Sequence, residues 1–166
     1  MVATESRASD GASLRGRLAA LYEDYAACLD DDELERWPSF FTDDALYQIV
    51  ARENRSQSLS LATVYCDGIG MIRDRAAAVR ECTLYMPRPL RHMLGGVRIM
   101  RSYDNRQITT RANFAVFESP IDSEPRVFMV GHYEDTVVDD GDSLRFRERC
   151  CVYDNYRIHT SLIFPV

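Results

Sequence analysis

Apolar positions in residues 14–29 recur in steps of three and four. Leu14, Leu18, Leu21, Tyr22, Tyr25 and Leu29 share one stripe while Glu23 and Asp24 lie off it, so the spacing predicts an amphipathic helix. Ser13 is placed to cap it. Residues 1–12 are small, polar and aperiodic, and read as a mobile tail ahead of a single domain over 13–166. The acidic run Asp30-Asp31-Asp32-Glu33 closes the helix and opens a short second one that stops before Pro38. Trp37, Phe40 and Phe41 supply bulk where the chain turns towards a sheet.

Residues 46–50 (LYQIV) read as a strand, 52–60 as a polar loop, and 61–65 as strand again. A helix follows Gly68-Ile69-Gly70, with Ile72, Ala76, Val79 and Thr83 on one face and Arg73 and Arg80 on another. Residues 85–91 hold two prolines and read as irregular. From His92 the period changes to two. Val97, Ile99, Arg101 and Tyr103 alternate with polar or outward positions, and Ala112, Phe114 and Val116 do the same. A strand over 127–138 and a hairpin at Asp140-Gly141 lead to Leu144, Phe146, Cys150 and Val152, opposed by Arg145, Arg147 and Arg149. Helices first and long hairpin-linked strands afterwards make an α+β layout, with the helices covering one face of a curved, mainly antiparallel sheet.

Composition narrows the function. The 166 residues suit one domain with a core of its own. A formal charge of −6 disfavours nucleic acid. All 20 basic residues are arginine, a residue suited to bidentate pairs and interfaces, although base composition of the genome gives the same bias. Five cysteines without CxxC spacing read as reduced thiols in the cytoplasm. No apolar run approaches a membrane span.

Four stretches in order carry a resemblance: ERWPSFFTDDALYQI (35–49), MIRDRAAAVRE (71–81), RHMLGG (91–96) and CVYDNYRIHTSLIFPV (151–166). Together they resemble the small β subunits of Rieske non-heme iron ring-hydroxylating dioxygenases, in particular those acting on salicylate, anthranilate or terephthalate. The resemblance covers roughly residues 14–166. It implies a cone-shaped, cystatin-like fold shared with scytalone dehydratase and ketosteroid isomerase. It also implies an α3β3 assembly with other β subunits and an α subunit that holds the Rieske [2Fe–2S] cluster, the mononuclear Fe(II) and the substrate pocket. The β chain is then a scaffold with no catalytic motif to carry over.

The residues permit that reading. No cysteine has a histidine two or three positions later, as a Rieske centre usually requires. His92, His132 and His159 fall on or beside three strands without helical pairing, so no metal site is expected. Gly68-Ile69-Gly70 lacks the third glycine of a dinucleotide loop, and no P-loop or GxSxG occurs. No catalytic, cofactor-binding or metal residue is therefore assigned.

Two other functions stay open. A free-standing dehydratase or isomerase would use a pocket of Tyr22, Tyr25, His92 and His132 for acid–base work, and an inert small-molecule binder would use the same pocket. Strict alternation also puts Glu148 on the face of Phe146 and Cys150, as an inward general base or an arginine partner. For a subunit interface the candidates are Arg88, Arg91, His92, Arg145, Arg147, Arg149 and Phe164, with the arginine ladder of 145–149 pointing away from the apolar side.

Overall fold

The structure, a computed structural model, describes residues 3–57, 59, 61–81, 89–159 and 161–166, with side chains from residue 14 onward. Helix α1 is Ala3–Asp30, so helix is assigned over most of the segment expected as a tail and Ser13 lies within it rather than at its cap. A 3-10 turn, Trp37–Phe40, contains Pro38 near its start instead of stopping before it; proline is tolerated there because the first N–H groups of a helix have no partner. Strand β1, Phe41–Ala51, is followed by a five-residue helix α2, Arg52–Ser56, where a loop was expected. Strand β2, Val64–Asp67, sits slightly later than the 61–65 run suggests, and helix α3, Gly68–Glu81, begins at Gly68, whose φ of +82° suits glycine. Ile72, Ala76 and Val79 form the buried face of α3. Thr83 and Cys82 lie outside the described residues.

The remaining strands are β3 (Leu90–Leu94), β4 (Arg98–Ser102), β5 (Gln107–Glu118), β6 (Arg126–Asp139) and β7 (Leu144–Tyr153). Leu90 and Arg91, expected to be irregular, are already paired with Glu118 and Phe117. The sheet runs β2-β1-β7-β6-β5-β3, with β4 also paired to β5. Among the described residues, only β1 against β7 is parallel. Helices α1 and α3 pack on the inner face of this curved sheet, α1 touching β3 and β7 and α3 touching β1 and β2. One large core of Leu18, Tyr22, Tyr25, Trp37, Tyr47, Phe146 and their neighbours fills the space between.

A bulge in β7 decides what points into that core. Thr136 pairs with Glu148, and the next residue of β6, Val137, pairs with Phe146, so Arg147 has no residue opposite it on β6. One extra residue reverses the alternation beyond it. The expected ladder is thereby corrected: Arg149 is 1% exposed and faces the core, while Glu148 is exposed on the outer face. Cys150 shares the outer face with Val50 and Val152 in a small second cluster, and Cys151 joins the main core.

Candidate functional site

The inner end of β7 places a guanidinium where the cone would otherwise be apolar. The carbon at its centre lies 3.8 Å from the ring centroid of Tyr133, 3.9 Å from Tyr25, 4.3 Å from Phe146 and 5.0 Å from Tyr22. Such a cage attracts a desolvated cation through the ring quadrupoles. Arg149 Nη1 also donates to Asp135 Oδ2 at 3.1 Å, and both side chains are fully withdrawn from solvent. The Tyr22 hydroxyl donates to the same oxygen and lies 2.9 Å from Thr110 Oγ1. Arg149 Nε and Nη2 have no hydrogen-bond partner among the described residues; the surrounding ring faces take the place of acceptors.

The electrostatics follow from burial. Burial pushes the Asp135 carboxyl up to about 6, held back by Arg149 and by the hydrogen bond from Tyr22. Burial also drives the hydroxyls of Tyr22, Tyr25 and Tyr133 upward, so all three stay protonated at neutral pH. For Arg149 burial opposes the charge, but Asp135 together with Tyr25, Tyr133 and Cys151 outweighs it and the group stays protonated. At pH 7 the cluster is a closed ion pair among neutral phenols, with no free base to accept a proton from a ligand.

The last residues seal the same space. Val166 is fully buried, and its carbonyl oxygen accepts from Tyr25 Oη at 3.0 Å, Tyr47 Oη at 3.3 Å and Cys151 Sγ at 3.2 Å. Its N–H donates to Tyr47 Oη at 2.9 Å, and Trp37 Nε1 donates to Tyr25 Oη at 3.1 Å. Arg75 holds the approach by donating to the carbonyls of Leu162 and Ile163.

The four residues of the expected pocket do not converge. Tyr22 and Tyr25 are together around Arg149. His92 is on the inner face of β3, but its Nδ1 lies 2.7 Å from Asp30 Oδ1 and its side chain has no exposure. Its backbone N–H also donates to Asp30, so the pair ties β3 to the end of α1. His132 pairs across strands with Asn113 and Val152 on the outer face, where its Nε2 lies 3.3 Å from Glu134 Oε1. Glu134 also takes Arg55; burial pushes its carboxyl up, but the hydrogen bonds and charges of Arg55 and His132 together outweigh it and hold the group below its usual range. Among the described residues no three His, Cys, Asp or Glu side chains group as metal ligands. Two surface recesses among the described residues, one lined by Glu35, Pro38, Arg73 and Arg80 and the other by Gly96, Arg98, Arg111 and Asn113, include no caged residue.

Residues 24–160 match the family of ring-hydroxylating β subunits. The chain belongs to that family. It is 37% identical over 142 residues, 86% of this chain and 88% of the relative, to the small subunit of anthranilate 1,2-dioxygenase from Burkholderia cepacia. It is 32% identical over 150 residues, 90% of this chain and 97% of the relative, to a terephthalate 1,2-dioxygenase β subunit from Comamonas sp.. A crystal structure of the β subunit of a putative aromatic-ring-hydroxylating dioxygenase from Novosphingobium aromaticivorans superposes with a TM-score of 0.86 at 36% identity, over 94% of this chain and 99% of that one. A putative scytalone dehydratase of that organism shares the cone fold alone, with a TM-score of 0.71 at 14% identity over 96% of this chain and 97% of that one.

In this β subunit the interface candidates divide. Arg88 lies outside the described residues. Arg91 is exposed; its Nη1 donates to the Asp30 carbonyl at 3.3 Å and lies 3.9 Å from the Asp30 carboxylate and 3.8 Å from that of Asp31. Arg145 pairs with Asp140 and Arg147 with Asp44, both at the surface. Arg149 is withdrawn as a candidate because the bulge turns it inward. His92 is occupied by Asp30, and Phe164 is half-buried against the core. Sequence reading missed the pairing of Arg149 with Asp135. The signal was present: only an inserted residue keeps Phe146 inside and the charged Glu148 outside on one strand.

Proposed function

We propose that the chain serves as the scaffold of a ring-hydroxylating oxygenase acting on an aromatic carboxylate. It would assemble in the cytoplasm with the large α subunit and two further copies of itself as α3β3. The Rieske cluster and the mononuclear Fe(II) would reside in the α subunit, which performs the hydroxylation. Supporting the substrate class, both relatives bear the names of oxygenases for aromatic carboxylates. No described helix is long and apolar enough to cross a membrane.

The observation that carries the scaffold reading is the occupied cone. Where a ligand-binding relative of this fold would need space, Arg149, Asp135 and four aromatic rings pack against one another, and Val166 closes the end. Binding sites for small molecules are concave and largely pre-formed. Here the concavity is used for stability. The test is co-expression with the large subunit, followed by native mass and iron analysis. Equal numbers of the two chains in an iron-containing particle support the proposal. A large subunit that is fully stable and active without this chain would overturn it.

A further inference from the structure

We infer that Arg98 and Arg111 form a carboxylate-binding cleft that receives the β5–β6 hairpin tip of a second copy of this chain, at Asp122 and Glu124. The inference rests on the scaffold reading and gives its self-association a site. Arg98 and Arg111 are direct cross-strand partners of β4 and β5. Like charges placed opposite one another repel unless an anion lies between them. Neither guanidinium has a hydrogen bond or ion pair with any described residue, whereas Arg17, Arg36, Arg52, Arg55, Arg80 and Arg126 each hold a carboxylate. The nearest internal candidate is Glu134, which is Arg111's partner on the other side, but it is committed to Arg55 and His132.

The surroundings suit a docked chain. Gly96, Ala112 and Asn113 line the cleft with the two arginines, and Gly96 has open space where a side chain would stand. Arginine forks take carboxylates in planar, bidentate geometry. On the same face of β5, Ala115 and Phe117 continue the row beyond Asn113, with Met93 61% exposed and Val127 46% exposed beside them. Ala115 is four residues from Arg111, or roughly 13 Å along a strand. An apolar area and a cationic pair thus lie within one interface-sized patch.

The complementary surface is on this chain. The β5–β6 connection, residues 119–125, carries Ile121, 72% exposed, and then Asp122 and Glu124, which are exposed and unpaired among the described residues. It cannot reach its own cleft, because it leaves β5 at Glu118, seven residues and roughly 23 Å along the extended strand from Arg111. A contact between two different patches is heterologous, and such contacts close into rings when the rotation permits. A chain with 26 acidic residues against 20 arginines has the carboxylates to meet a neighbour's cations.

The experiment compares four chains, alone by sedimentation equilibrium and with the large subunit by native mass. They are wild type, Arg98→Glu with Arg111→Glu, Asp122→Arg with Glu124→Arg, and all four changes together. Circular dichroism checks that each is folded. The inference expects each double variant to weaken association of this chain with itself at least tenfold, and the fourfold variant to restore most of it by exchanging the charges. Either double variant associating like wild type overturns the cleft. Loss in both without restoration overturns the pairing with Asp122 and Glu124. A double variant impaired only in binding the large subunit overturns the assignment to a second copy. A wild-type chain that joins neither itself nor a large subunit fails the scaffold reading itself, a result distinct from the others.

Discussion

Asp135 Oδ2 accepts from Arg149 Nη1 at 3.1 Å between two side chains with no exposure to solvent. Removing one member leaves the other charge buried without a partner, at a cost of about 3–5 kcal/mol. Asp135→Asn should therefore unfold at markedly lower denaturant than wild type. Replacing the pair together with apolar residues, as in Asp135→Leu with Arg149→Met, should recover most of the loss, since a buried pair is often no better than packed hydrocarbon. Urea titration of the two variants beside wild type measures this. A double variant as weak as the single one would mean that the cage around Arg149, rather than its charge balance, holds the fold.

Tyr47 is bound to Val166 twice, as donor to its carbonyl and acceptor from its N–H. Tyr47→Phe keeps the ring contacts with Trp37 and Phe41 and deletes both hydrogen bonds. A buried N–H left without an acceptor costs about 1–3 kcal/mol. The expected outcome is a loss of that order, with faster proteolysis within residues 154–165. Limited digestion followed by mass analysis would show cleavage there before any cleavage in β5 or β6.

The acid response has a definite sign. Hydrogen bonding from Arg17 holds Asp139 below its usual range, and the Ser143 N–H holds Asp140 down to about 2. Depressed carboxyls contribute stability that is complete above the unfolded value near 4 and lost as pH falls through the folded value. Asp135, raised to about 6, works in the opposite sense between about 4 and 6, because there the folded state keeps a proton that the unfolded chain releases. Stability should thus fall between pH 4 and pH 2, and Arg17→Gln should flatten that fall. Unfolding free energy measured against pH in both chains tests it.

What could be read from the sequence depended on uninterrupted periods. The α1 stripe from Leu18 to Leu29 and the α3 face of Ile72, Ala76 and Val79 emerged as spaced, because a helix repeats without register errors. The hairpin at Asp140-Gly141 was legible from its turn chemistry, and Gly141 has the positive φ that such a turn needs. Arg149 was not legible by alternation, since one unpaired residue at Arg147 reverses every side chain after it. His132 failed for another reason. Period two says which residues share a face of one strand, but only the pairing with Asn113 and Val152 fixes that face as the outer one. The α2 helix is too short to impose a period on residues 52–56.

Gly131 gives the sharpest backbone test of the sheet. It sits between Phe114 and Tyr153 in the register, and a Cβ there would overlap the Val152 carbonyl oxygen and approach Tyr153 Cα to 2.9 Å. The obstacle is backbone, so no rotamer change relieves it. Accommodating a methyl requires β6 and β7 to separate, at the point where Asp154 N–H donates to Val130 O and Asn155 brackets Val130 and Phe128. Gly131→Ala should therefore cost more than about 2 kcal/mol, at the upper end of single substitutions. At Gly70, within α3, an added methyl would meet nothing within 4 Å, and Gly70→Ala should be neutral or stabilising by up to about 1 kcal/mol. Thermal unfolding of the two variants side by side separates them. A harmless Gly131→Ala would mean that β6 and β7 can part here without loss, and that the segment after Tyr153 is not held by their close approach.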